Sequence, residues 1–97
     1  MSEQFFVYIL ASGKQGTLYI GCTSDLARRV YEHREEAIPG FTKKYDVKRL
    51  VHIEVYDVPR IAQQRERSLK RWPREWKMNL IERDNPQWDD LYDTLTG

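Results

Sequence analysis

Two short apolar runs open the chain, Phe5 to Ala11 and Thr17 to Cys22, both rich in aromatic and β-branched side chains. Runs of this length and kind read as strands, and Ser12-Gly13-Lys14-Gln15-Gly16 between them reads as the turn of a β-hairpin. If Ala11 pairs with Gly16, Tyr8 stands directly opposite Tyr19 and both hydroxyls share one face, whereas a one-residue slip would part them. Thr23-Ser24-Asp25 then offers N-cap residues to a helix running to about Glu36, with Leu26, Val30 and Tyr31 or Ala27 on its apolar side, and Pro39-Gly40 ends it. Leu50 to Tyr56 alternates, with Val51, Ile53 and Val55 on one side and His52 and Glu54 on the other, which predicts a third strand.

Asp57 and Pro59 start a second helix, because proline is tolerated in a first turn. Pro73 begins a third helical segment carrying Trp76, Leu80 and Ile81. Asn85-Pro86 breaks the pattern, and Trp88, Leu91 and Leu95 suggest a short last turn or helix folded back on the body. The order β-β-α-β-α-α predicts an α/β (α+β) domain with a small, mostly antiparallel three-stranded sheet flanked by helices. At 97 residues one core is expected, so residues 1–97 read as a single domain.

Composition adds to this picture in three places. With 40% hydrophobic and 32% charged residues the chain can order a core, which argues against intrinsic disorder. The single cysteine, Cys22, excludes an internal disulfide framework and a multi-cysteine zinc site. Met1 to Gln4 lacks a basic leader segment and no apolar run is long enough to span a bilayer, so a cytoplasmic protein away from membranes is expected. The net charge of +1 conceals an asymmetry: seven basic residues lie between Arg60 and Lys77, and five acidic ones between Glu82 and Gly97. Such a distribution suits a polyanion met by one face, although a mixed solvated helix surface would look the same.

Some residue positions carry chemistry. Arg29 and His33 lie four apart on the first helix and can reach a common point, a guanidinium suited to phosphate oxygens and an imidazole suited to proton relay near neutral pH. Glu66 follows Ala62 and precedes Leu69 at helical spacing, which puts a carboxylate in the stripe that should face the sheet. An inward carboxylate is costly unless it is paired or holds a metal ion, and Arg65 and Arg67 are candidate ion-pair partners.

These residues carry a resemblance. Phe6-Val7-Tyr8, then Tyr19-Ile20-Gly21, then Arg29 ten positions past Tyr19, resembles the GIY-YIG nuclease superfamily, in which two tripeptides on a hairpin precede a helix bearing an essential arginine. His33 and Glu66 fall where that family has a histidine and a metal-binding glutamate, and the ending Asn85-Pro86-x-Trp88 resembles its small stand-alone bacterial members. The first tripeptide lacks the family's glycine and isoleucine but keeps the tyrosine. The family's asparagine after the glutamate matches either Asn85 or Asn79.

The resemblance implies a metal-dependent endonuclease acting on nucleic acid, DNA more than RNA, with weak sequence specificity. Tyr8, Tyr19, Arg29 and His33 would be catalytic, with Glu66 holding one Mg²⁺ or Mn²⁺; Lys43, Lys44, Arg65, Lys70 and Arg71 would contact flanking phosphates. One tyrosine would deprotonate the attacking water, its pKa lowered by neighbouring cations. Two rivals stand beside it: a domain of the same fold that binds nucleic acid without cutting, and a thiol hydrolase using Cys22 with His33 or His52.

Overall fold

In a computed structural model, which describes residues 3–35, 40 and 44–96, β1 (Phe5–Ala11) is apolar on both faces because it is the middle strand of a three-stranded sheet. β2 (Leu18–Thr23) and β3 (Arg49–Tyr56) flank it, both antiparallel, in the order β2-β1-β3. One face of the sheet buries Tyr8 and Leu10 against Leu26 and Val30 of helix α1 (Leu26–Arg34), with Val47, Leu50 and the C-terminal helix α4 (Tyr92–Thr96) completing that layer. The other face buries Val7, Ile9 and Ala11 against Ala62 and Leu69 of α2 (Pro59–Arg71), Leu80 and Ile81 of α3 (Arg74–Asp84), and Trp88. Among the described residues no helix is long and apolar enough to cross a membrane. The α+β class and the element order are those expected.

Several details differ from the expectation, each for a local reason. The hairpin connection is longer, so Ala11 pairs with Leu18, Tyr8 with Gly21 and Tyr19 with Leu10. Tyr8 and Tyr19 are therefore diagonal instead of opposite, yet a slip of two residues leaves them on the same face. In β3 a bulge where the partner steps from Ile9 to Leu10 breaks the alternation. Val51 consequently joins the core under α2 while Ile53 packs in the α1 layer.

Asp25 caps α1 by accepting from the Arg28 N–H, but that helix stops at Arg34. His33 takes the inward position, leaving Tyr31 54% exposed. Pro59 sits at the start of α2, and Pro73 enforces its end by holding Trp72 in an extended conformation. On α3 Leu80 and Ile81 are buried as expected, whereas Trp76 is 56% exposed.

Candidate functional site

Tyr8 is only 1% exposed, and the sheet can hold its ring because Gly21 stands across from it. A Cβ added at Gly21 would collide with the Tyr8 Cζ and Oη atoms, so no larger residue fits there without displacing the tyrosine. The Tyr8 hydroxyl lies 3.4 Å from Nε2 of His33, which α1 delivers into the same layer. Tyr19 closes the cluster, its ring centroid 5.2 Å from that of His33 and 6.4 Å from that of Tyr8. Tyr19 is the less buried of the two tyrosines and lines a shallow groove with Leu18, Ile20, Lys70 and Lys77.

The electrostatics of this cluster are set chiefly by burial. Desolvation raises the Tyr8 pKa well above its ordinary value of 10, and the negative charges of Tyr19 and Glu66 add to the rise while Arg29 opposes it. The expectation that neighbouring cations lower a tyrosine therefore fails at Tyr8, where burial outweighs Arg29. His33 moves the other way: burial and the Arg29 charge both lower its pKa, so the imidazole stays neutral near pH 7. With Tyr8 protonated and His33 neutral, the hydroxyl donates and Nε2 accepts, which leaves the His33 proton on Nδ1.

Arg29 and Glu66 reach the tyrosines from different sides of the sheet, around the last residues of β2. Thr23 lines a hollow with Arg28, Arg29 and Glu32, while Cys22, its neighbour, lines another with Gln63, Glu66 and Arg67. Both charges are close enough to act on the Tyr8 hydroxyl. The two hollows thus adjoin neighbouring residues, Cys22 and Thr23, with a cation on one side of the sheet and a carboxylate on the other.

The Arg29 side chain is 45% exposed and, among the described residues, meets only a long 3.8 Å contact with Glu32, so its guanidinium remains available to an anion. Glu66, 21% exposed, has Lys70 at 3.6 Å, one turn further along α2, and not Arg65 or Arg67. No group of three or more His, Cys, Asp or Glu converges among the described residues. One carboxylate beside the Gln63 amide, in a hollow of about 330 Å³, nevertheless fits a hard divalent ion that keeps most of its water shell.

The remaining expected site residues fare differently. Arg65 is turned away from any phosphate path: its Nε and Nη2 donate to Glu54 at 2.8 and 3.0 Å, and its guanidinium lies over the Trp72 ring. Asn85 is buried at the end of α3, donating to Val51 O and Asp89 O and accepting from Asp89 N, so it ties the C-terminal segment to β3. Asn79 is exposed on α3. Lys70 and Arg71 are exposed on α2, and Lys44 is exposed beside Tyr45. Lys43 lies outside the described residues.

Cys22 borders the Glu66 hollow, and burial raises its pKa, with Glu66 adding to the rise, which disfavours the thiolate that nucleophilic catalysis needs. His52, its other suggested partner, is bonded to Glu54 at 2.9 Å. A residue that sequence reasoning passed over is Gln63. Gln63 and Lys70 flank Glu66 at helical spacings of three and four, a signal legible once Glu66 is singled out.

Comparison with known proteins gives the family and the fold. Residues 4–79 match the family model described as the GIY-YIG catalytic domain. A UPF0213 protein of Haloquadratum walsbyi is 35% identical over 82 residues, covering 84% of this chain and 91% of its own. A UPF0213 protein of Staphylococcus saprophyticus is 30% identical over 79 residues, covering 81% of this chain and 95% of its own. The solution NMR structure of a UPF0213 protein from Bacillus halodurans superposes with a TM-score of 0.56 at 26% identity, over 90% of this chain and 92% of that one.

Proposed function

The chain belongs to the GIY-YIG catalytic-domain family, and from that premise we propose that it is a metal-dependent endonuclease hydrolysing phosphodiester bonds, in DNA rather than RNA, with weak sequence preference. One observation carries the reading: the Tyr8 hydroxyl, bonded to His33, lies within electrostatic reach of Tyr19, Arg29 and Glu66. Phosphodiester hydrolysis needs an activated water, stabilised phosphoryl charge and an assisted leaving oxygen.

Each residue takes one of these tasks. Arg29 receives the phosphate oxygens, since its guanidinium is half exposed and only weakly paired. Tyr19 is the less buried of the two tyrosines, and we assign it the role of base toward the attacking water. Neutral His33 packs on the Tyr19 ring and orients it, its Nε2 engaged by the hydroxyl of buried, protonated Tyr8, so the proton that Tyr19 takes as tyrosinate from the water passes on to solvent. Glu66, with Gln63 beside it, would hold Mg²⁺ or Mn²⁺, which when bound supplies positive charge to the scissile phosphate and the leaving oxygen. Lys70, itself exposed, meets Glu66 at 3.6 Å, a long contact weak enough to yield to a divalent ion.

A purified, chelator-treated sample offered labelled single-stranded, duplex and branched DNA, and the matching RNAs, tests the reading. Cleavage of DNA should appear only when Mg²⁺ or Mn²⁺ is restored. Binding of these nucleic acids with no cleavage under any metal condition would make the chain a binding domain of the same fold.

A further inference from the structure

Beyond the candidate active surface, α2 carries a second hollow, of about 440 Å³, lined by Gln64, Arg67, Ser68, Arg71 and Trp72. Its lining joins one aromatic ring to two guanidinium groups, an amide and a hydroxyl, and includes no acidic residue. Trp76 stands beside Trp72, edge-on at 5.8 Å between ring centroids, and is itself 56% exposed. An edge-on pair leaves a ring face open, on which another planar group can stack. Arg67 lines this hollow and the Glu66 hollow alike, so the two are neighbours on the outer side of α2.

Resting on the nuclease reading, we infer that this corner is a binding site for an unpaired nucleotide of the substrate strand: its base stacks on Trp76, and its phosphates meet Arg67 and Arg71. Aromatic rings take bases by their π-faces without regard to sequence, and arginines hold the backbone. A base inside a duplex has no free face to offer, so the occupant is single-stranded. The site therefore selects for a frayed, flapped or single-stranded region flanking the cut.

Tryptophan fluorescence of the whole chain, titrated in EDTA with oligo-dT, oligo-rU and a blunt DNA duplex, tests the inference without requiring cleavage. Single strands should quench the emission. Trp76→Ala should weaken single-strand binding roughly tenfold while changing duplex binding by less than about twofold. Arg71→Ala should weaken both and lower the salt dependence. Trp76 and Arg71 are exposed, so both variants should unfold at the parent's temperature, which thermal scans check. Equal losses on single strand and duplex in Trp76→Ala, or no loss on either, would overturn the stacking site. Metal-driven cleavage that survives such a result leaves the nuclease reading intact, whereas Trp76-dependent binding with no cleavage at all rejects the nuclease reading alone.

Discussion

At Gly21 the side chain must be a hydrogen because the Tyr8 ring occupies the place of a Cβ. Gly21→Ala should therefore destabilise the fold by about 1 to 3 kcal/mol, the usual cost of forcing extra volume into a packed core, and should also lower cleavage in the fraction that remains folded. Thermal unfolding beside a cleavage assay checks both; an alanine variant as stable and active as the parent would show that the ring moves freely. His33 gives a pH signature. Its folded pKa lies below the ordinary 6.5, so above pH 6.5 its contribution to stability is complete. As the pH falls through 6.5 the unfolded chain binds a proton that the folded chain resists, and stability is lost. The melting temperature of the parent should drop between pH 7 and pH 5 by more than that of His33→Gln, and equal drops would contradict the assignment. At this scale the sequence placed Tyr8, Tyr19, Arg29, His33 and Glu66 because spacing along strands and helices is periodic. It did not separate Arg65 from Arg71, or Asn85 from an active-site amide, since those roles depend on partners distant in the chain, Glu54 and Val51.

Helix α2 shows how adjacent positions on one element divide their work. Arg65 faces β3 and, with His52 and Tyr56, satisfies the largely buried Glu54 carboxylate, whereas Glu66 turns toward Cys22 on β2. These bonds hold Glu54 well below the usual carboxylate range. The network is therefore complete above the ordinary value of 4.5 and is lost as the pH falls below it. Glu54→Gln, which strips the charge and leaves Arg65 without its partner, should cost about 2 kcal/mol at pH 7. Chemical denaturation measures this, and an unchanged midpoint would mean that solvent already screens the pair. Element boundaries were readable from Pro59, Pro73 and the apolar runs. The β3 bulge and the hairpin register were not, because each is decided by packing between strands: Val51 is drawn under α2, and the connection lengthens to carry a turn that Arg74 fastens through Gln15 O and Gly16 O.

For the molecule as a whole, the basic stretch that looked uniform in sequence is divided by the fold. Arg65 and Arg74 are committed to Glu54 and to the hairpin turn, and Lys77 donates to Lys70 O. Among the described residues the side chains of Arg67 and Arg71 form no ion pair or hydrogen bond, and they face the hollow on the outer side of α2. The central claim is that Glu66 serves chemistry and not stability, and single-turnover cleavage by Glu66→Gln beside its thermal unfolding tests it most directly. The amide keeps nearly the same volume while removing the charge a divalent ion requires. The account predicts a variant that melts like the parent and binds nucleic acid at least as well, since a negative charge near the phosphate is gone, yet loses metal-dependent cleavage by roughly two orders of magnitude or more. A destabilised variant that cleaves at the parent's rate per folded molecule would make Glu66 merely the partner of Lys70 and would contradict the account.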